Sequence, residues 1–99
     1  MHLYGWASSA LSEIRSFCAD RGICLIEDAA QALGVEVDGQ PVLAGAALAT
    51  LSFYPAKVIG GCMDGGAVVT GDDALARTVR SLANHGRTAH HAHQHVGWN

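Results

Sequence analysis

The stretch Asp20-Arg21-Gly22-Ile23-Cys24-Leu25-Ile26-Glu27-Asp28-Ala29 ("DRGICLIEDA") decides the fold class. Upstream of it, Leu11, Ile14, Phe17 and Cys18 recur on one helical face. The spacing predicts a helix that starts at a Ser8 or Ser9 cap and ends at Asp20. Gly22 is placed to take the left-handed position just past that end. Four apolar residues, Ile23 to Ile26, follow at once. An unbroken run of that kind reads as a strand buried on both faces, as in a parallel sheet. Helix passing into strand across a one- or two-residue turn is an α/β pattern.

Further along, "VEVDGQPV" (residues 35–42) alternates apolar and polar residues around Asp38-Gly39 and predicts a small surface hairpin. "ALATLSFY" (47–54) is the next strand, and "AVVTG" (67–71) is a third. Between them "VIGGCMDGG" (58–66) places four glycines in nine residues, most simply for backbone conformation. Asp72 or Asp73 caps a second helix with Leu75, Val79 and Leu82 on one face and Gly86 after its end. "HLYG" (2–5) reads as the end of a strand and "RTAHHAHQHVGWN" (87–99) as loop. No internal repeat and no linker divides the chain, so one domain without a separate second one is expected. The abrupt ends and the small number of strands suggest part of something larger.

Composition narrows the function. Of 99 residues, 49% are hydrophobic and 15% charged, a globular balance. The net charge of −3 gives a nucleic-acid partner no electrostatic support. No apolar run approaches the roughly 20 residues that cross a bilayer, and no signal peptide is evident. Cys18, Cys24 and Cys62 form no CxxC pair and read as reduced, mostly buried thiols of a cytoplasmic protein.

Ligands of α/β sheets gather past the carboxyl ends of the strands. Two strands here end in polar groups, one in Glu27-Asp28-Ala29-Ala30-Gln31 and one in Ser52 through Lys57, "SFYPAK". If the two are neighbours in a parallel sheet, an acid and an amine open onto one crevice. Glu27 points away from it, because side chains alternate along a strand.

"EDAAQALG", "SFYPAKVIGGCMDGGAVVT" and "LANHGR" together resemble the DegT/StrS family of aminotransferases that depend on pyridoxal 5'-phosphate and act mainly on nucleotide-linked keto sugars. The resemblance runs from His2 to Asn99. It implies an internal part of the large domain of a fold-type I transferase, a three-layer α/β/α domain with a mostly parallel sheet, so that residues 1–99 are a fragment of the cofactor-binding domain. It implies that Lys57 holds the cofactor as a Schiff base and then shuttles the proton. It implies that Asp28 pairs with the pyridinium nitrogen, that Gln31 lies near the ring's phenolic oxygen, and that Ser52 donates to the phosphate. Asn99 matches an asparagine that reaches the neighbouring subunit's cofactor in a homodimer. The implied substrates are an amino-acid donor, glutamate, and a keto sugar nucleotide. Val58 stands where the family usually has a polar residue, a change that does not touch Lys57, and Leu33 where it often has His.

Plainer readings stand beside these. A lone lysine after a strand is usually a surface charge, Asp28 alone would read as a helix cap, and Ser52 could merely satisfy a strand end. His85, His90, His91, His93 and His95 crowd eleven positions, and metal binding through imidazoles is the alternative there. Without a helical frame or a nearby cysteine or carboxylate they read as a solvated loop, and no metal ligand is assigned. A non-catalytic fragment or binding module is the remaining alternative to an enzyme part.

Overall fold

A computed structural model describes residues 1–99. The chain divides into two compact units, residues 1–69 and 70–99.

In the first unit, helix α1 spans Leu11–Asp20. Its end is a Schellman motif: Gly22 N donates to Ala19 O (3.1 Å) and Ile23 N to Cys18 O (2.8 Å), with Gly22 at φ +64°. The glycine supplies the left-handed backbone that turns the helix toward the first strand. The start differs from the serine cap expected. Ala10 occupies the cap position without a side-chain bond, and Ser8 Oγ accepts from Ala10 N one residue too early. The buried face also differs. Leu11 and Cys18 are buried, whereas Ile14 and Phe17 are 40% and 53% exposed. Arg15 takes the position between Leu11 and Cys18 on the inward side, because its guanidinium has a buried partner (below).

Strand β1 is Ile26–Asp28, and β2 (Glu36–Val37) and β3 (Gln40–Pro41) form the expected hairpin. Asp38 and Gly39 both have positive φ, +52° and +73°, the type I′ turn that matches the twist of a two-residue hairpin. A 3-10 turn, Val42–Gly45, leads to β4, Leu48–Ser52, and β5 is Gly66–Val69. The sheet order is β1-β4-β5. β1 runs parallel to β4, pairing Asp28 with Thr50, and β5 runs antiparallel to β4, pairing Ser52 with Gly66.

The register sorts the side chains by face. Glu27, Ala49, Leu51, Ala67 and Val69 share one face; Ile26, Asp28, Leu48, Thr50, Ser52 and Val68 share the other. The core of Leu11, Ala29, Ala32 and Val42 packs with Leu51 on the first side. The second side is uncovered in this chain, leaving Ile26 59% and Val68 44% exposed. β1 is therefore buried on one face here, not on both as its apolar run implies. Of the cysteines only Cys18 is buried; Cys24 and Cys62 are exposed, against expectation. Cys24 lies in the turn before β1 and Cys62 in the glycine-rich loop, where no second layer covers them.

In the second unit, α2 spans Asp73–Leu82. Asp72 caps it, its Oδ1 accepting from Ala74 N (2.7 Å) and Leu75 N (3.1 Å). Replacing Asp72 with alanine is expected to lower stability by about 1 kcal/mol, read as a lower urea midpoint; an unchanged midpoint would show that these bonds contribute nothing. The tail is not plain loop. β6 (Arg87–Ala89) pairs with β7 (Ala92–His93), and Trp98 N donates to Leu82 O (2.7 Å), satisfying a helix-end carbonyl. The return is close: a Cβ at Gly97 would meet Leu82 O at 2.6 Å and His85 C at 2.7 Å.

Candidate active site

The parallel pairing of β1 with β4 brings the ends of both strands to one edge of the sheet. Asp28 and Ser52 are their last residues and lie on the same face, the uncovered one. Asp28 is half-buried. Its Oδ1 accepts from Ala30 N (3.0 Å), and its carbonyl accepts from His2 N (2.8 Å). No helix follows it; Ala32 N and Val35 N make two successive turns instead, so Asp28 caps a turn.

Ser52 Oγ accepts from Tyr54 N (3.2 Å), which leaves its own proton to be donated elsewhere. Past it the chain makes a pinched loop. Phe53 O accepts from Gly61 N (2.8 Å) and Phe53 N donates to Gly65 O (2.7 Å), while Lys57 N donates to Tyr54 O (2.8 Å) within the loop. Lys57 is thereby held half-buried five residues beyond the end of β4. Two glycines permit the pinch: a Cβ at Gly60 would overlap Pro55 O, and one at Gly66 would sit 2.7 Å from Leu51 O.

Gln31 is held by a segment that sequence reading took for a strand end. Residues 2–5 are instead a strap. Tyr4 N donates to Gln31 Oε1 (2.9 Å) and Gly5 N to Gln31 O (2.9 Å), with Tyr4 and Gly5 at φ +53° and +77°. With Oε1 occupied, the Gln31 amide presents its NH2 as a donor. Tyr4-Gly5 was the only local signal of this turn. Asn99 is exposed and belongs to the second unit.

On the opposite face of β1 lies a feature with no sequence signal. Glu27 is 3% exposed and accepts from Arg15 Nε (2.8 Å), Arg15 Nη2 (2.9 Å) and His2 Nε2 (3.0 Å). Burial pushes its carboxyl up, but the bonds from Arg15 and His2 outweigh that and hold it below the ordinary carboxylate value.

The histidines after α2 are exposed. His90 Nδ1 and His91 Nε2 lie 2.8 Å apart, and His93 Nδ1 bonds His85 O (2.9 Å). No three His, Cys, Asp or Glu side chains come together to hold a metal ion.

A carboxylate and a hydroxyl thus close two neighbouring parallel strands, with the loop that carries an amine following one of them. Over residues 1–99 the chain matches the DegT/DnrJ/EryC1/StrS aminotransferase family. The chain belongs to that family.

Relatives within the family include the erythromycin biosynthesis sensory transduction protein EryC1 of Saccharopolyspora erythraea, 43% identical over 99 residues. The dTDP-3-amino-3,4,6-trideoxy-alpha-D-glucose transaminase of Streptomyces venezuelae is 41% identical over the same length. The whole chain aligns with each, but it spans only 27% and 26% of their lengths. The crystal structure of S. venezuelae DesV in complex with a ketimine intermediate superposes with a TM-score of 0.90 at 42% identity, over 99% of this chain and 26% of that one. The mixed α/β architecture is thus that of part of a DegT-family aminotransferase.

Proposed function

We propose that residues 1–99 are part of the cofactor-binding large domain of a cytoplasmic, homodimeric aminotransferase that moves an amino group from glutamate to a keto sugar nucleotide. The observation that carries this reading is the parallel register of β1 and β4, which sets Asp28 and Ser52 on one sheet face with the Lys57 loop directly beyond. The uncovered side of the sheet, with Ile26 and Val68 exposed, supports a larger domain around it.

The donor set fits pyridoxal 5'-phosphate. A carboxylate suits a ring nitrogen, an amine suits an aldehyde, and a hydroxyl with a free proton suits a phosphate. When bound, the cofactor supplies a conjugated ring that accepts the electron pair released at the substrate carbon. Asp28 would pair with the ring nitrogen and hold its proton. The Gln31 NH2, oriented by Tyr4 N, would donate to the phenolic oxygen. Ser52 Oγ would donate to the phosphate, and Asn99 would reach the phosphate bound by the neighbouring subunit. Lys57 Nζ would hold the cofactor aldehyde, and the same amine, once free, would carry the proton between the donor's α carbon and the cofactor. The same residues would serve the keto sugar in the reverse half-reaction, so one site would suffice for both.

The isolated 99-residue chain lacks most cofactor contacts and does not turn over by itself. Borohydride reduction of the full-length protein with pyridoxal phosphate, followed by peptide mapping, is expected to label Lys57 alone. A label on another residue would overturn the assignment.

A further inference from the structure

Directly behind Asp28, on the covered face of β1, the Glu27 carboxylate is gripped from two separate segments. Arg15, on α1 and 12 positions away, contributes a two-pronged contact to both oxygens, and His2, 25 positions away, adds a third bond. Arg15 is itself anchored, because Nη2 also donates to Val42 O (2.6 Å) in the 3-10 turn. The guanidinium lies over Gly45, and a Cβ there would overlap Arg15 Nη1. His2 acts twice. Its ring holds Glu27, and its backbone N holds the carbonyl of Asp28. The same His2 thus ties the Glu27 carboxylate to the backbone of Asp28, and a shift of β1 at Glu27 shifts the backbone that carries the Asp28 side chain.

We propose that Arg15, Glu27 and His2 form a positioning device that sets the orientation of the Asp28 carboxylate toward the cofactor ring. This rests on the reading of Asp28 given above. Glu27 meets neither cofactor nor substrate; it acts through the strand. A planar fork on both carboxylate oxygens fixes a carboxylate's plane and not only its charge, which a single lysine contact would not do. The buried setting adds to this, since water is not there to substitute for a lost bond. An apolar residue at 27 would pack against this face equally well, yet would leave β1 free to rotate by small amounts.

The test uses the full-length holoenzyme loaded with pyridoxal phosphate that carries a ¹⁵N ring nitrogen, whose NMR shift reports the proton on that atom. Asp28→Asn is the reference and is expected to move the signal to its unprotonated position. Glu27→Gln and Gly45→Ala are expected to move the same signal part of the way. Gly45→Ala keeps every charge and only displaces the Arg15 guanidinium. Both variants should lose about tenfold in kcat while KM for the amino donor stays within about twofold. If Asp28→Asn moves the signal and both other variants give the wild-type position, the positioning role is overturned and Asp28 keeps its own. If Asp28→Asn leaves the signal in place, the reading of Asp28 fails and takes the device with it. Should Glu27→Gln not fold, Gly45→Ala decides alone by the same criterion.

Discussion

Replacing Lys57 with alanine in the full-length enzyme is expected to lower kcat for amino transfer by about 10⁴-fold, the upper end of what a positioned acid–base group supplies. The size follows from the two jobs proposed for one amine, holding the cofactor and moving the proton. Lys57→Arg should not rescue the rate. The guanidinium stays protonated near neutral pH and neither binds an aldehyde nor accepts a proton. Rates would be taken under single-turnover conditions, so that slow product release does not mask the chemical step. A residual rate within tenfold of wild type would remove Lys57 from the mechanism.

The largest effect on stability is expected at Arg15. Arg15→Met leaves Glu27 buried without its principal partner, which costs about 3–5 kcal/mol at neutral pH. The double variant Arg15→Met/Glu27→Leu should recover most of that, because a packed apolar pair of similar volume needs no compensation. The pH dependence has a definite sign. The Glu27 pKa in the folded protein lies below its ordinary value of 4.5. The pair's contribution is therefore complete above that value and is lost as pH falls through the lowered folded pKa. The gap between wild type and Arg15→Met should be widest near pH 7 and narrow below pH 4.5. Urea unfolding at pH 7 and at pH 4 measures both. A gap that widens toward acid would show that Glu27 is not ionised in the fold.

Much of the candidate site was legible because its residues stand next to strong local signals. Asp28 and Ser52 close apolar runs, and Lys57 stands before a cluster of glycines. The plainer alternative for Asp28, a helix cap, does not hold, because two turns and not a helix follow β1. The strap of residues 2–5 was misread as a strand because its partners, Asp28 and Gln31, lie more than twenty positions away.

What the sequence determined by itself is the set of features whose physics is confined to a few neighbouring residues. Gly22 ends α1 because it alone takes the left-handed position without a Cβ penalty. Asp38-Gly39 makes the hairpin turn, and Asp72 caps α2 through its own next two amides. Tertiary structure alone decided the rest. It set β5 antiparallel, turned residues 87–93 into a hairpin, and left one face of the sheet uncovered. It also buried a carboxylate behind Asp28. No local pattern announces that burial, because an ionised Glu27 inside the protein is tolerable only when Arg15 and His2 arrive from distant segments to bond it, and their arrival is a property of the packed fold.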